Sequence, residues 1–202
     1  PGEGDVENRS EQTWYGVIDA GDLVPGHSAL TARRILAEVG NGNAPSLRVT
    51  SAAVAEDMSG KDGWFLDLVS PVNGREGERM VVPNRGARGL LIGTTRIPDA
   101  SDICNRGGRG FIMAVNPFTG SRPSSGALDV NGDGRLDHLD MIEIGGKQVP
   151  ASGVGFAASP NDPLVLDGTL YVNLDDGTRK KQPTRNAGTK VSRISWRELL
   201  LD

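Results

Sequence analysis

The sequence predicts a mainly β protein made of short strands, and three observations lead there. Gly and Pro occur 28 and 12 times in 202 residues, and they punctuate the chain at the spacing of turns between strands rather than of long helices. The apolar segments between them are short and carry aromatic and β-branched side chains, which suit a pleated, half-buried surface. The order of strand, Gly turn, strand recurs at a period of roughly 40 to 50 residues, the spacing of radial sheet repeats. The length suffices for about four such units, the low end for a closed ring. An incomplete ring would leave strand edges that need another chain segment.

In chain order, residues 1–12 are polar, with Glu3, Asp5, Glu7 and Glu11 and no apolar period, and read as a flexible linking segment. A strand is predicted over Trp14–Asp19. His27–Val39 carries Leu30, Ala32, Ile35, Leu36 and Val39, a spacing that suits either a helix or a turn plus strand. Ser46–Val54 alternates, and Gly63–Leu68 is a stronger strand rich in aromatics. Arg79–Pro83 and Gly89–Thr95 read as neighbouring strands, and Gly110–Gly120 as a strand ending in a tight turn. Val154–Ser159, Pro163–Leu166, Gly168–Asn173 and Lys190–Ile194 repeat the pattern. Trp64 and Trp196 are predicted packing residues, since large aromatics dominate buried area.

The formal net charge of −4 and pI near 5.3 leave no electrostatic footprint for nucleic acid. No apolar run reaches the eighteen or so residues that mark a bilayer-crossing helix, and Pro1-Gly2-Glu3-Gly4 is not a signal peptide. Cys104 is the single cysteine, so an intrachain disulfide is excluded and the redox compartment cannot be read from pairing. Asp102 and Arg106 flank it; a nearby cation would lower its pKa, but a loop thiol, or one paired with a segment outside this sequence, is the preferred reading. The sequence fits either a cytosolic chain or a piece of a secreted one, and a calcium site would favour the second, because extracellular calcium modules can bind weakly.

The densest chemistry lies between Asp129 and Asp140, which read Asp-Val-Asn-Gly-Asp-Gly-Arg-Leu-Asp-His-Leu-Asp. A calcium loop of twelve residues takes side-chain oxygens from positions 1, 3 and 5, a sharp turn at Gly in position 6 and a backbone carbonyl from position 7. Here those are Asp129, Asn131, Asp133, Gly134 and Arg135. Asp137 at position 9 and Asp140 at position 12 are both able to complete the shell, and Leu136 is placed to anchor the loop to a core. A hard cation seeking six to eight oxygens makes carboxylates this close together tolerable. The plainer alternative is a Gly- and Asx-rich turn between strands, which needs neither Asp137 nor Asp140. The Gly- and Ser-rich approach, Gly120–Gly126, cannot form the entering helix of an EF-hand, and His138–Ile144 leaves room for two helical turns at most before Gly145-Gly146. The loop is therefore expected as an insertion between strands that holds a structural ion.

Several pieces in order resemble the C-terminal domain of the type IV pilus tip-associated adhesins, the PilY group of pilus assembly proteins. They are Trp14–Asp19, Gly63–Leu68, Cys104–Phe111 running into Asn116–Gly120, Asp129–Asp137, Ser159–Val172 and Arg193–Leu199. The resemblance implies a modified β-propeller, complete or partial, with the calcium loop inserted between strands, and residues 13–202 as the C-terminal blades of a longer secreted protein. It places the calcium ligands on Asp129, Asn131, Asp133, the carbonyl of Arg135 and Asp137; Asp140 is added from spacing alone. It further implies location at a pilus tip or cell surface, with pilin or minor pilins as partners. Roles in pilus assembly, extension and retraction, twitching motility and adhesion to host or abiotic surfaces come with it. The family's propellers are longer than this chain, and the Arg-Gly-Asp adhesion motif that some members carry is absent here, so no integrin binding is inferred.

Catalytic readings are weaker. Gly153-Val-Gly-Phe-Ala-Ala matches G-x-G-x-x-A, but Ser159-Pro160 follows where a helix must start. His27 and His138 have no Cys or His at zinc-ligand spacing, and no G-x-S-x-G elbow is present. A calcium-dependent quinoprotein dehydrogenase would use a propeller and a vicinal disulfide, which one cysteine cannot supply. A free-standing calcium-stabilised carbohydrate binder is the other alternative, although no aromatic cluster for stacking sugars is apparent. The expectation is a binding module without catalysis. Arg179, Lys180, Lys181 and Arg185 form a basic run past Asp175-Asp176-Gly177; a solvated loop tip explains it, or contact with a partner pilin.

Overall fold

The structure, a computed structural model, describes residues 7–40, 46–99 and 108–184. Its strands are β1 (Thr13–Val17), β2 (Thr31–Arg33), β3 (Ile35–Val39), β4 (Leu47–Thr50), β5 (Gly63–Asp67), β6 (Arg79–Met80), β7 (Arg85–Ala87), β8 (Leu90–Pro98), β9 (Gly108–Val115), β10 (Met141–Ile144), β11 (Lys147–Pro150), β12 (Gly153–Phe156), β13 (Leu164–Leu166), β14 (Thr169–Asn173) and β15 (Arg179–Pro183). Short 3-10 turns occupy His27–Ala29 and His138–Asp140. The protein is thus mainly β. Cys104, Arg185, Trp196, the predicted strand Lys190–Ile194 and the Arg193–Leu199 segment lie outside the described residues.

Period-two alternation explains the layering around β9. Every residue from Gly110 to Val115 is buried, so both faces of this strand are covered, as a continuous apolar run requires. Phe111, Met113 and Val115 point to a cluster with Trp14, Trp64 and Leu66 of β1 and β5. Ile112 and Ala114 point the other way, to a cluster with Leu128, Leu170, Val172 and Leu174. The central sheet has the order β3-β4-β12-β9-β8-β6, with β7 also pairing β8. It is flanked on one side by β1-β5-β2 and on the other by β13-β14-β15. The β10-β11 hairpin packs Ile142 with Val49 and Ala151 in a third small cluster.

Pairing is antiparallel except between β2 and β5. Three hairpins close through two residues at positive φ, as type I′ turns demand: Arg88-Gly89, Gly145-Gly146 and Asp167-Gly168. Close approach explains another pair of glycines. A Cβ at Gly153 would lie 2.5 Å from Met113 Sδ, and one at Gly155 would lie 2.8 Å from Phe111 Cε1. The G-x-G motif is therefore a packing device that seats β12 against the large side chains of β9.

Several expectations change. His27–Val39 resolves as a 3-10 turn followed by β2 and β3, the second of its two open readings: Leu30 is buried between the turn and β2 and Ile35 at the start of β3, not along one helical stripe. The Asp129–Asp140 loop lies between strands as expected; it ends in one 3-10 turn and leads directly into β10, and the Gly145-Gly146 turn brings Met141–Ile144 into register with Lys147–Pro150. Arg179, Lys180 and Lys181 of the basic run lie in a strand, β15, paired through five positions with β14. Short β7 was not foreseen. The strand-turn-strand repeats do not map onto sequential sheets, since β12 joins β4 and β9 across long sequence separations; no sheet closes on itself among the described residues.

Candidate metal centre

The Asp129–Asp140 loop connects the outgoing end of β9 with β10 and is ordered by its own side chains. Asp129, 3% exposed, accepts Gly132 N–H on Oδ1 at 2.7 Å and Gly134 N–H on Oδ2 at 2.8 Å. Asn131 Oδ1 accepts Asp133 N–H at 3.0 Å, and Asp133 Oδ1 accepts Arg135 N–H at 2.8 Å. Asp137 Oδ1 accepts Leu139 N–H at 2.8 Å. Gly132 and Gly134 both take positive φ, which lets the chain double back without a Cβ clash.

Asp140 is the clamp. It is 1% exposed, and its Oδ1 accepts Val130 N–H while Oδ2 accepts Asp137 N–H, both at 2.8 Å. With Asp137 it forms a reciprocal capping box at the 3-10 turn. The spacing argument thus found a residue that closes the loop through backbone donors. Val130, rather than Leu136, anchors the loop: Val130 packs against two of the core clusters, whereas Leu136 is half-buried and lines a 610 Å³ cleft with Asp137, Met141 and Thr169. Val130 sits at the turn out of the leading Asp, and the sequence holds no signal that ranks it above Leu136.

The loop is also latched to β15. Asp129 N–H donates to Pro183 O at 3.1 Å, Leu128 bridges Thr184, and Gln182 Nε2 donates to Asp129 O. Sequence reasoning missed Gln182, 53 residues away, because an isolated Gln in a basic strand has no local signature.

As a donor set the loop is made of hard oxygens. An ionised carboxylate offers about four lone-pair sites on its two oxygens, so one N–H per oxygen leaves capacity on Asp129, Asp133, Asp137 and Asp140. Asn131 Nδ2 lies 3.2 Å from Asp133 Oδ2, which brings the position 3 and 5 side chains together on the exposed side of the loop. Arg135 is exposed, and its carbonyl would be the one main-chain donor. Among the described residues, no three His, Cys, Asp or Glu side chains are gathered as a metal-ligand group; the loop's carboxylates are turned onto backbone N–H groups, and an amide and a carbonyl make up the rest of the set. His138 is exposed at 87% and 3.9 Å from Asp137 Oδ1. The chemistry of the residues suits a hard divalent cation such as calcium.

The fold and this loop define a class: a layered, mainly β domain with an Asx-rich oxygen-donor loop inserted between its sheets. No protein-family model matches the chain. Two proteins of Xylella fastidiosa (strain Temecula1 / ATCC 700964) are similar to it, each described as a type IV pilus biogenesis factor PilY1 homolog. One is 41% identical over 198 residues, covering 97% of this chain and 15% of that protein; the other is 26% identical over 221 residues, covering 96% and 15%. The crystal structure of the Pseudomonas aeruginosa PilY1 C-terminal domain matches with a TM-score of 0.66 at 16% identity, over 86% of this chain and 37% of that one. The chain is a PilY1-related domain, sharing ancestry with a segment of those factors and the fold of the PilY1 C-terminal domain. It spans about 15% of the length of the curated relatives it matches.

Proposed function

We propose that this domain is a non-catalytic, calcium-binding part of a longer secreted protein that acts in type IV pilus biogenesis at the pilus tip or cell surface. The 41% identity over 198 residues to a PilY1 homolog carries the reading. The three layers around β9 would form part of a modified propeller whose remaining sheets come from other segments. Asp129, Asn131, Asp133, the Arg135 carbonyl and Asp137 would hold the ion, with Asp140 bracing the loop and open to it. Calcium supplies positive charge that relieves repulsion among these carboxylates and orders the loop. Pilins or minor pilins would be the partners; pilus extension and retraction, twitching motility and adhesion would be the activities supported. The relatives' description as biogenesis factors favours a binding module over an enzyme.

Calcium titration calorimetry in chelator-treated buffer tests the ion: one calcium bound by the parent and none by Asp133→Ala is expected. In the full-length protein of the source organism, the same substitution should alter surface piliation or twitching. Normal twitching in a strain lacking this whole segment would refute the pilus role irrespective of the calorimetry.

A further inference from the structure

We propose that the outer face of the β13-β14-β15 sheet docks an extended acidic segment of a partner protein, carboxylates on Arg179 and Lys181 and apolar side chains on Leu164 and Leu166. This goes beyond the pilus reading and does not depend on the calcium site.

The strand register builds the face. Leu164, Tyr171 and Lys181 form one row across the three strands, Leu166, Thr169 and Pro183 the next, and Asn173 pairs Arg179 in a third. The alternate positions Leu170 and Val172 are buried in the core at 0% and 2% exposure, so these rows face outward. Leu164 is 63% exposed, Leu166 60% and Tyr171 38%. The sheet therefore presents an apolar edge on β13, a cationic edge on β15 and a tyrosine between them, with Lys181 Nζ 5.7 Å from the Tyr171 ring centroid.

Charge complementarity names the occupant. Elsewhere on this acidic chain Arg75 pairs with Glu11, Arg85 with Asp162 and Arg96 with Asp175. Among the described residues, no ion pair joins Arg179 or Lys181 to a carboxylate. Two cations on the same outward rows as exposed leucines fit a segment that alternates acidic and apolar residues, since alternate side chains of a strand share one face. A nucleic acid or an anionic bilayer fits less well. β14 spans five residues, about 17 Å, and carboxylates stand at both ends, Asp167 in one hairpin turn and Asp176 in the other. A broad anionic surface would press phosphates onto those turns, whereas a single extended chain lies between them.

The test uses fluorescence anisotropy with the full chain and labelled ten-residue peptides of alternating Glu and Val, alternating Lys and Val, or alternating Glu and Ser. The parent should bind the Glu–Val peptide and discriminate against the other two. Arg179→Glu/Lys181→Glu should weaken Glu–Val binding by more than about tenfold and gain affinity for Lys–Val. Leu164→Ser/Leu166→Ser should weaken it by about tenfold without altering charge preference. These positions are exposed, so unchanged melting curves accompany each loss. Equal affinity of parent and charge-reversed variant, equal binding of Glu–Val and Lys–Val, or no binding of Glu–Val would overturn the proposal. Tighter binding to phosphatidylglycerol vesicles or duplex DNA than to Glu–Val would also overturn it.

Discussion

Arg48 lies at the centre of the buried polar network, and Arg48→Met is the sharpest probe of what holds the central sheet to the loop before β6. The guanidinium is fully buried, Glu78 is 1% exposed and Glu38 8%. Nη1 and Nη2 donate to Glu78 Oε1 and Oε2 at 2.5 and 2.7 Å, Nε donates to Glu38 Oε1 at 2.8 Å, and Cζ sits 3.4 Å from the centre of the Phe111 ring. Burial pulls the Arg48 pKa down, but hydrogen bonds and charge from Glu78 and Glu38 more than offset this and hold it above its ordinary value. Methionine keeps much of the volume and strands two carboxylates in the interior.

Breaking a buried pair by removing one partner costs about 3–5 kcal/mol, and the lost contact with the Phe111 face adds up to about 2 kcal/mol. For a chain of this size, 3–5 kcal/mol is a fall in Tm of roughly 6–20 °C. Urea unfolding followed by tryptophan fluorescence reads the change, because Trp14 and Trp64 share the cluster that contains Phe111. Arg48→Met/Glu78→Gln should recover part of the loss by removing one stranded charge. A cost below about 1 kcal/mol for Arg48→Met, or a double variant no more stable than the single, would refute the account.

Three further outcomes follow from the same geometry. Arg33 Nη1 donates to Asp57 Oδ2 at 2.6 Å and Val54 N–H donates to the same oxygen at 2.9 Å, holding the Asp57 carboxyl below its ordinary value. A lowered folded pKa contributes stability that is present above the unfolded value and lost as pH falls through the folded one. Asp57→Asn should therefore cost about 1.5–3 kcal/mol near neutrality, with the gap in urea midpoints narrowing as pH falls below the ordinary aspartate range. Gly16→Ala should destabilise by about 1–3 kcal/mol through overpacking, since its Cβ would fall 2.3 Å from Trp64 Cε2, whereas Gly86→Ala, with open space around it, should leave melting unchanged. In the loop, Asp133→Ala should remove the calcium-dependent gain, about 2.7 kcal/mol at a hundredfold excess over Kd, and leave chelated stability near parent. Asp140→Ala should lower chelated stability as well, by about 1–3 kcal/mol for each deprived N–H, read by melting with and without calcium.

What could be read in the sequence was local. The strands around Trp64 and Phe111 announce themselves through aromatic content and length, and the oxygen spacing from Asp129 to Asp140 is a one-dimensional pattern, as is the ordered set of pieces shared with the PilY group. What could not be read depends on residues far apart. Arg48 and Glu78, 30 positions apart, look like surface charges until β3 and β4 carry the first under the turn that holds the second. β12 joins β4 and β9, a topology that no window of sequence encodes. β15 reads as a loop because most of its side chains are exposed at a sheet edge, which removes the alternation that marks a half-buried strand.

That same edge gives the loop its mechanical neighbour. Asp129 contributes its side chain to the loop's internal bonds and its main chain to β15, donating to Pro183 O and accepting from Gln182. A cation that fixes the Asp129 carboxylate therefore also fixes the main-chain seam along which β15 is held. The Leu128–Thr184 bridge shares that seam, so the strand stays held to the loop with or without the cation, and the ion's effect is on the Asp129 end alone. Separate substitutions divide the two effects: Asp133 is exposed and bonds to Asn131 and Arg135 within the loop, whereas Gln182 bonds to the main chain of Asp129 across the seam.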